Sequence, residues 1–141
     1  MSYLAFDPGK TTGWCLFDEH GQEIDFGQCE GDEQLIAFLE SVSPPEIVIC
    51  EDFKLFGHLA KQQTGSKFEA SQVIGIIKYF CNKWQVPLKL QPSSILPIAQ
   101  LWSGVKVEGK GGHEQSHWKS AFNHGVYYLQ KEGIRKSRLK A

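Results

Sequence analysis

Tyr3-Leu4-Ala5-Phe6-Asp7-Pro8-Gly9-Lys10-Thr11-Thr12-Gly13 is the stretch on which the fold turns. Its apolar run reads as a buried strand. Pro8 has no N–H to give a ladder, so it ends that strand directly after Asp7. A second apolar run, Ile47-Val48-Ile49-Cys50, delivers Glu51-Asp52 in the same way. Two carboxylates at the ends of two core strands suit a divalent metal, because hard cations take oxygen ligands held on rigid elements. The commonest work of such a site is phosphodiester chemistry. Taken singly, Asp7 reads as well as a turn cap and Glu51 as a solvated strand end; the pair on one sheet favours the metal.

Working outward, residues 12–18 and 22–29 read as two further strands. They join through His20-Gly21, where glycine supplies the positive φ of a hairpin turn. Residues 32–42 carry Leu35, Ile36 and Leu39 at helical spacing, and Pro44-Pro45 closes that helix before the strand 47–51. Ser66-Lys67-Phe68-Glu69 has capping-box form and predicts a helix to about Trp84, with Val73, Ile77, Phe80 and Trp84 on its apolar face. Pro87 stops it, residues 88–91 form a short strand, and Ser93 or Ser94 opens a helix to about Trp102. Helical spacing returns from His113 to about Gln130. Residues 53–65 read as a loop or poorly formed helix, and 103–112, with four glycines in ten residues, as a loop. The order β-β-β-α-β-α-β-α-α predicts an α/β domain over residues 1–130, with a basic tail over 131–141 expected to be flexible. Its mixed five-stranded sheet opens as an antiparallel meander and continues by parallel additions with right-handed crossovers.

At 141 residues, 41% hydrophobic and 22% charged, the chain is long and apolar enough for one ordinary domain with a real core. No signal peptide or membrane span is visible in the sequence, so the expected address is the cytoplasm. Cys15, Cys29, Cys50 and Cys81 form no CxxC pair and read as reduced, buried thiols rather than a zinc cage. Charge is segregated: residues 1–52 hold twelve acids and one base, Lys10, whereas 53–141 hold four acids and fourteen bases. Such a division can create a basic surface beside an acidic site, the first to hold a polyanion and the second to cut it; the alternative is lysines on solvated helix faces.

Three motifs in order now resemble a known family. Ala5-Phe6-Asp7-Pro8-Gly9 with Thr12-Gly13, Val48-Ile49-Cys50-Glu51-Asp52-Phe53, and His117-Trp118-Lys119-Ser120-Ala121-Phe122-Asn123-His124 followed by Tyr127-Tyr128 are similar to the RuvC-type Holliday-junction resolvases. The last stretch looks like the phage-encoded branch. The resemblance spans roughly residues 3–130 and implies the ribonuclease H-like fold. It also implies Asp7 and Glu51 as metal ligands, with two more groups one turn apart on the closing helix. His117 takes the first of these positions. The second, where the family has an acid, falls on Ser120, and a serine hydroxyl is a poor magnesium ligand. Four accounts stay open: an engineered disabling substitution, a natural loss of activity, a site working with fewer carboxylates, or a register shifted one turn to pair Glu114 with His117. Spacing of three keeps either pair on one helical face.

The resemblance further implies Mg2+, with Mn2+ as a substitute, and hydrolysis across two ions that activate a water and stabilise the leaving oxygen. Asp7 would bridge them and Glu51 hold one, while His117 would ligate or orient the attacking water. Four-way or branched DNA would be held by Lys10, Lys54, Lys61, Lys67, Lys106, Lys110 and Lys119, with Phe53 or Phe56 stacking on exposed bases. The family acts as homodimers, and the helix from Ser66 to Trp84 resembles its dimer helix. No nucleotide cofactor is expected. Gly9-Lys10-Thr11 lacks the phosphate-loop glycine five positions earlier, where Leu4 stands. The actin and sugar-kinase fold shares the Asp-Pro-Gly loop but needs two lobes. The rival is a catalytically silent module of the same fold that binds branched nucleic acid or a protein; a nuclease for flaps or forks is a further alternative.

Overall fold

The structure, a computed structural model, describes residues 1–52, 66–107 and 116–136, the side chains of 66–68 and 116 excepted. Five strands form one mixed sheet: β1 (Tyr3–Asp7), β2 (Thr11–Phe17), β3 (Glu23–Glu30), β4 (Ile47–Asp52) and β5 (Leu88–Pro92). Their order is β3-β2-β1-β4-β5. β1 pairs antiparallel with β2 and β2 with β3, whereas β4 lies parallel to β1 and β5 parallel to β4. This is the sheet expected from the sequence. The hairpin turns at Gly21, whose φ of 79° glycine adopts without a Cβ penalty.

Alternation in the central strand divides the core. Leu4 and Phe6 of β1 face α1 (Gly31–Ser41) and α2 (Ser66–Trp84), where they join Leu35, Leu39, Val73, Ile77 and Phe80. Tyr3 and Ala5 face the other way, with Cys15, Phe17 and Ile49, onto Ala121, Phe122, Val126 and Leu129 of α4 (Ser116–Lys131). β1 thus has no polar face to give to water, which is why its sequence is a continuous apolar run. All four cysteines are free and buried.

Two boundaries differ from the sequence expectation. Residues Ser93–Ile95 are a 3₁₀ turn, and the regular helix α3 runs Leu96–Ser103. Pro97 enforces this, since a helix accepts proline only in its first turn. The second difference concerns the tail. The segment from residue 131 was expected to be loose, but its first residues are bound. Gly133, at φ 78°, closes α4, with Ile134 N–H on the Leu129 carbonyl at 2.8 Å. Arg135 is buried, donating to the Gly21 carbonyl at 2.8 Å and lying 3.4 Å from Glu23. Among the described residues no helix is long and apolar enough to cross a membrane.

Candidate active site

β1 and β4 are adjacent and parallel, with Phe6 opposite Cys50, so the residues that follow, Asp7 and Glu51, emerge side by side at the same edge. The Pro8-Gly9 turn behind Asp7 is closed by the Thr12 hydroxyl, which donates to the Gly9 carbonyl at 3.0 Å. Glu51 is buried, at 5% exposure, while the Asp7 side chain keeps a small opening to solvent.

Helix α4 lies across these strand ends. Gly13 allows it: any Cβ there would collide with the His117 backbone, so the missing side chain admits the helix. His117 Nδ1 then stands 3.8 Å from Asp7 Oδ2, and two turns on His124 Nε2 stands 3.6 Å from Glu51 Oε2. The two acids and two imidazoles form a pair of pairs. Burial, reinforced by the charge of Glu51, pushes the Asp7 carboxyl up to about 6, with His117 pulling the other way. His117 is raised above its ordinary value, first by its contact with Asp7 and further by the charges of Asp7 and Glu30. A cation placed among these groups would relieve the strain of two neighbouring buried carboxylates.

Among the described residues, no three His, Cys, Asp or Glu side chains converge into a ready-made metal cage. A divalent cation at such a place would be held by one or two carboxylates and complete its shell with water. Asp7 and Glu51 are the oxygen donors present for it. Ser120, one turn after His117, is 4% exposed and brings no carboxylate.

No family model and no curated protein sequence matches the chain. Solved structures do match. The structure of Thermus thermophilus RuvC aligns with a TM-score of 0.64 at 15% identity, over 97% of this chain and 99% of that one. T. thermophilus RuvC in complex with a Holliday junction substrate aligns with a TM-score of 0.67 at 15% identity and the same coverage. The chain has the RuvC fold. It is the ribonuclease H-like arrangement, three antiparallel strands followed by parallel ones and flanked by helices.

In this fold Asp7 and Glu51 stand at adjacent strand ends and His117 faces Asp7, while Ser120 is buried one turn further along α4. Lys10 is exposed on the turn beside Asp7, and Lys106 is exposed after α3. Lys119, half-buried, gives its carbonyl to Asn123 at 2.8 Å. Phe53, Lys54, Phe56, Lys61, Lys110 and Glu114 lie outside the described residues, as does the Lys67 side chain. Sequence reasoning gave no role to His124 or Gln91. For His124 a signal existed, since it follows His117 by seven residues and so shares its helical face. Gln91 carried none, because only the β4–β5 register sets it beside Glu51.

Proposed function

We propose that this chain is a structure-selective endonuclease that resolves Holliday junctions or other branched DNA. The observation that carries the reading is the adjacency of Asp7 and Glu51 at the ends of parallel strands, with His117 of α4 facing Asp7. The likeness to RuvC with its junction substrate supports the same class of partner. Asp7 and Glu51 would hold Mg2+, or Mn2+ in its place. When bound, the metal supplies an activated water and charge relief for the leaving oxygen. Asp7 would contribute an anionic oxygen at the strand end, and His117, beside it, would accept a proton from the attacking water. Lys10 and Lys106 offer cations to the phosphate backbone, which fixes register without reading sequence.

The resolving form would be a homodimer that presents two sites to a two-fold junction. Exposed Tyr79 and half-buried Ile76 on α2 are the face that a second copy would cover. The phage-encoded branch, suggested by the run from His117 to Tyr128, and a cytoplasmic setting complete the proposal. Burial of Ser120 where the family has an acid favours a second reading, a silent module that binds branched DNA without cutting it.

The test is cleavage of a labelled synthetic four-way junction in Mg2+ and in Mn2+ by the native chain, Asp7→Asn and Ser120→Asp. Paired symmetric nicks from the native chain, lost in Asp7→Asn, support the enzyme. Nicks from Ser120→Asp alone identify a resolvase scaffold disabled at one ligand. Tight junction binding with no cleavage by any version favours the silent module.

A further inference from the structure

The histidine without a sequence-assigned role is held by its neighbours in a single tautomer. His124 is wholly buried on α4. Gln91, the register partner of Glu51 on the neighbouring strand, places its side-chain Nε2 3.0 Å from the His124 carbonyl and 3.1 Å from its Nδ1. A carbonyl only accepts, so the Gln91 amide must turn its NH2 toward it; the flipped amide would set two oxygens face to face. The second N–H of that NH2 meets Nδ1, and a ring nitrogen that accepts a hydrogen bond carries no proton. The ring proton therefore sits on Nε2. That atom has no hydrogen-bond partner, and the oxygen across from it is Glu51 Oε2 at 3.6 Å. The gap is a few tenths of an ångström too long for a hydrogen bond, and catalytic contacts of this length commonly tighten on ligand binding.

We propose that His124 is a positioning residue for Glu51: Gln91 sets its tautomer, and its Nε2–H anchors one carboxylate oxygen, leaving the other to the cation. This rests on the reading of Glu51 as a metal ligand. Three elements thereby agree on the placement of one carboxylate: β5 through Gln91, α4 through His124, and β4 through Glu51 itself. Such outer partners fix a ligand's orientation before the metal arrives.

The test uses the full chain labelled with 15N-histidine. Long-range 1H–15N spectra, with His124 assigned by the loss of its signals in His124→Gln, are expected to show a bare Nδ1 and a protonated Nε2. The opposite tautomer or a doubly protonated ring overturns the assignment. Mn2+ affinity, read by water-proton relaxation, carries the test to Glu51. His124→Gln keeps an N–H donor near the Nε2 position and is expected to bind within about threefold of native, whereas His124→Leu binds roughly 10–100-fold more weakly. Native affinity in His124→Leu overturns the anchoring role. Should His124→Leu fail to fold, Gln91→Met replaces it, with mixed tautomers and weaker Mn2+ binding expected; native behaviour there overturns the proposal. A native chain that binds no Mn2+ removes the metal reading of Glu51 and with it the anchoring role, while the spectrum still judges the tautomer by itself.

Discussion

Gly13 and His117 meet backbone to side-chain position: a Cβ on the glycine would fall on the carbonyl of the histidine. Gly13 is also the register partner of Asp7 on the neighbouring strand. The position that admits α4 to the sheet therefore also sets His117 opposite Asp7. Gly13→Ala is expected to lift the first turn of the helix, at a cost of about 1–3 kcal/mol for overpacking. Urea unfolding should show a lowered midpoint with an unchanged slope, and Mn2+-dependent cleavage should fall at least about tenfold. A native midpoint in Gly13→Ala would mean that the helix end yields without cost.

The acid pair makes stability depend on pH. Asp7 ordinarily titrates near 3.8, but in the fold it is pushed up to about 6, first by burial. Between those values the unfolded chain has released the proton that the folded chain still binds, so stability falls as pH rises through the window. The fall is of the order of 2–3 kcal/mol, and above about pH 6 this contribution stays constant. His117, raised by its contact with Asp7, favours folding while charged, and that contribution is lost as pH rises through its folded value. Unfolding free energies measured in EDTA should decline across this range, less steeply in Asp7→Asn. Saturating Mn2+ should reduce the decline in the native chain.

Ser120→Asp would add a carboxylate to a buried position one turn from His117. In EDTA the variant is expected to melt several degrees below the native chain, because a third acid joins two that already repel. In Mn2+ it should melt above its own metal-free value by more than the native chain does, and nick junctions faster. Equal metal shifts in both proteins would show that the residue does not reach the ion.

The face of α2 can be tested without touching the core. Gly75 is exposed, and nothing lies within 4 Å of where its Cβ would stand. Gly75→Arg should leave the melt of the single chain unchanged or slightly raised, since arginine is favoured over glycine in a helix by roughly 0.8 kcal/mol. Sedimentation should move from dimer to monomer. A native chain that is monomeric at all concentrations would remove the proposed dimer.

Arg135→Ala would strip a buried cation from the Gly21 carbonyl and from the Phe122 ring, 5.6 Å away. The expected loss is about 1–3 kcal/mol by urea unfolding. A loss within error would place the segment after α4 outside the cooperative fold.

The strands and the ends that carry Asp7 and Glu51 are legible in the sequence because their signals are local. An apolar run stopped by Pro8 announces Asp7, and β1 is apolar throughout because both its faces are covered. Other features depend on partners distant in sequence. Gln91 matters through its register beside Glu51, and Arg135 through a hairpin turn more than a hundred positions earlier. The composition of the tail, five bases in eleven residues, suggested solvent. Its Gly133-Ile134 pair is in fact a helix-closing signal of the kind in which glycine takes the left-handed position and an apolar residue follows it.

The sheet face carrying Tyr3, Ala5, Cys15, Phe17 and Ile49 is complete once residue 52 has been made, but the side chains that cover it come from residues 121–129. A ribosome adding about 5–20 residues per second leaves that face bare for roughly 4–15 s. During this interval the nascent chain displays an adhesive hydrophobic surface suited to chaperone capture. The late-arriving helix also carries His117 and His124. Synthesis therefore seals the sheet and assembles the candidate site in one event, and a prematurely terminated product would be sticky and would lack His117 and His124.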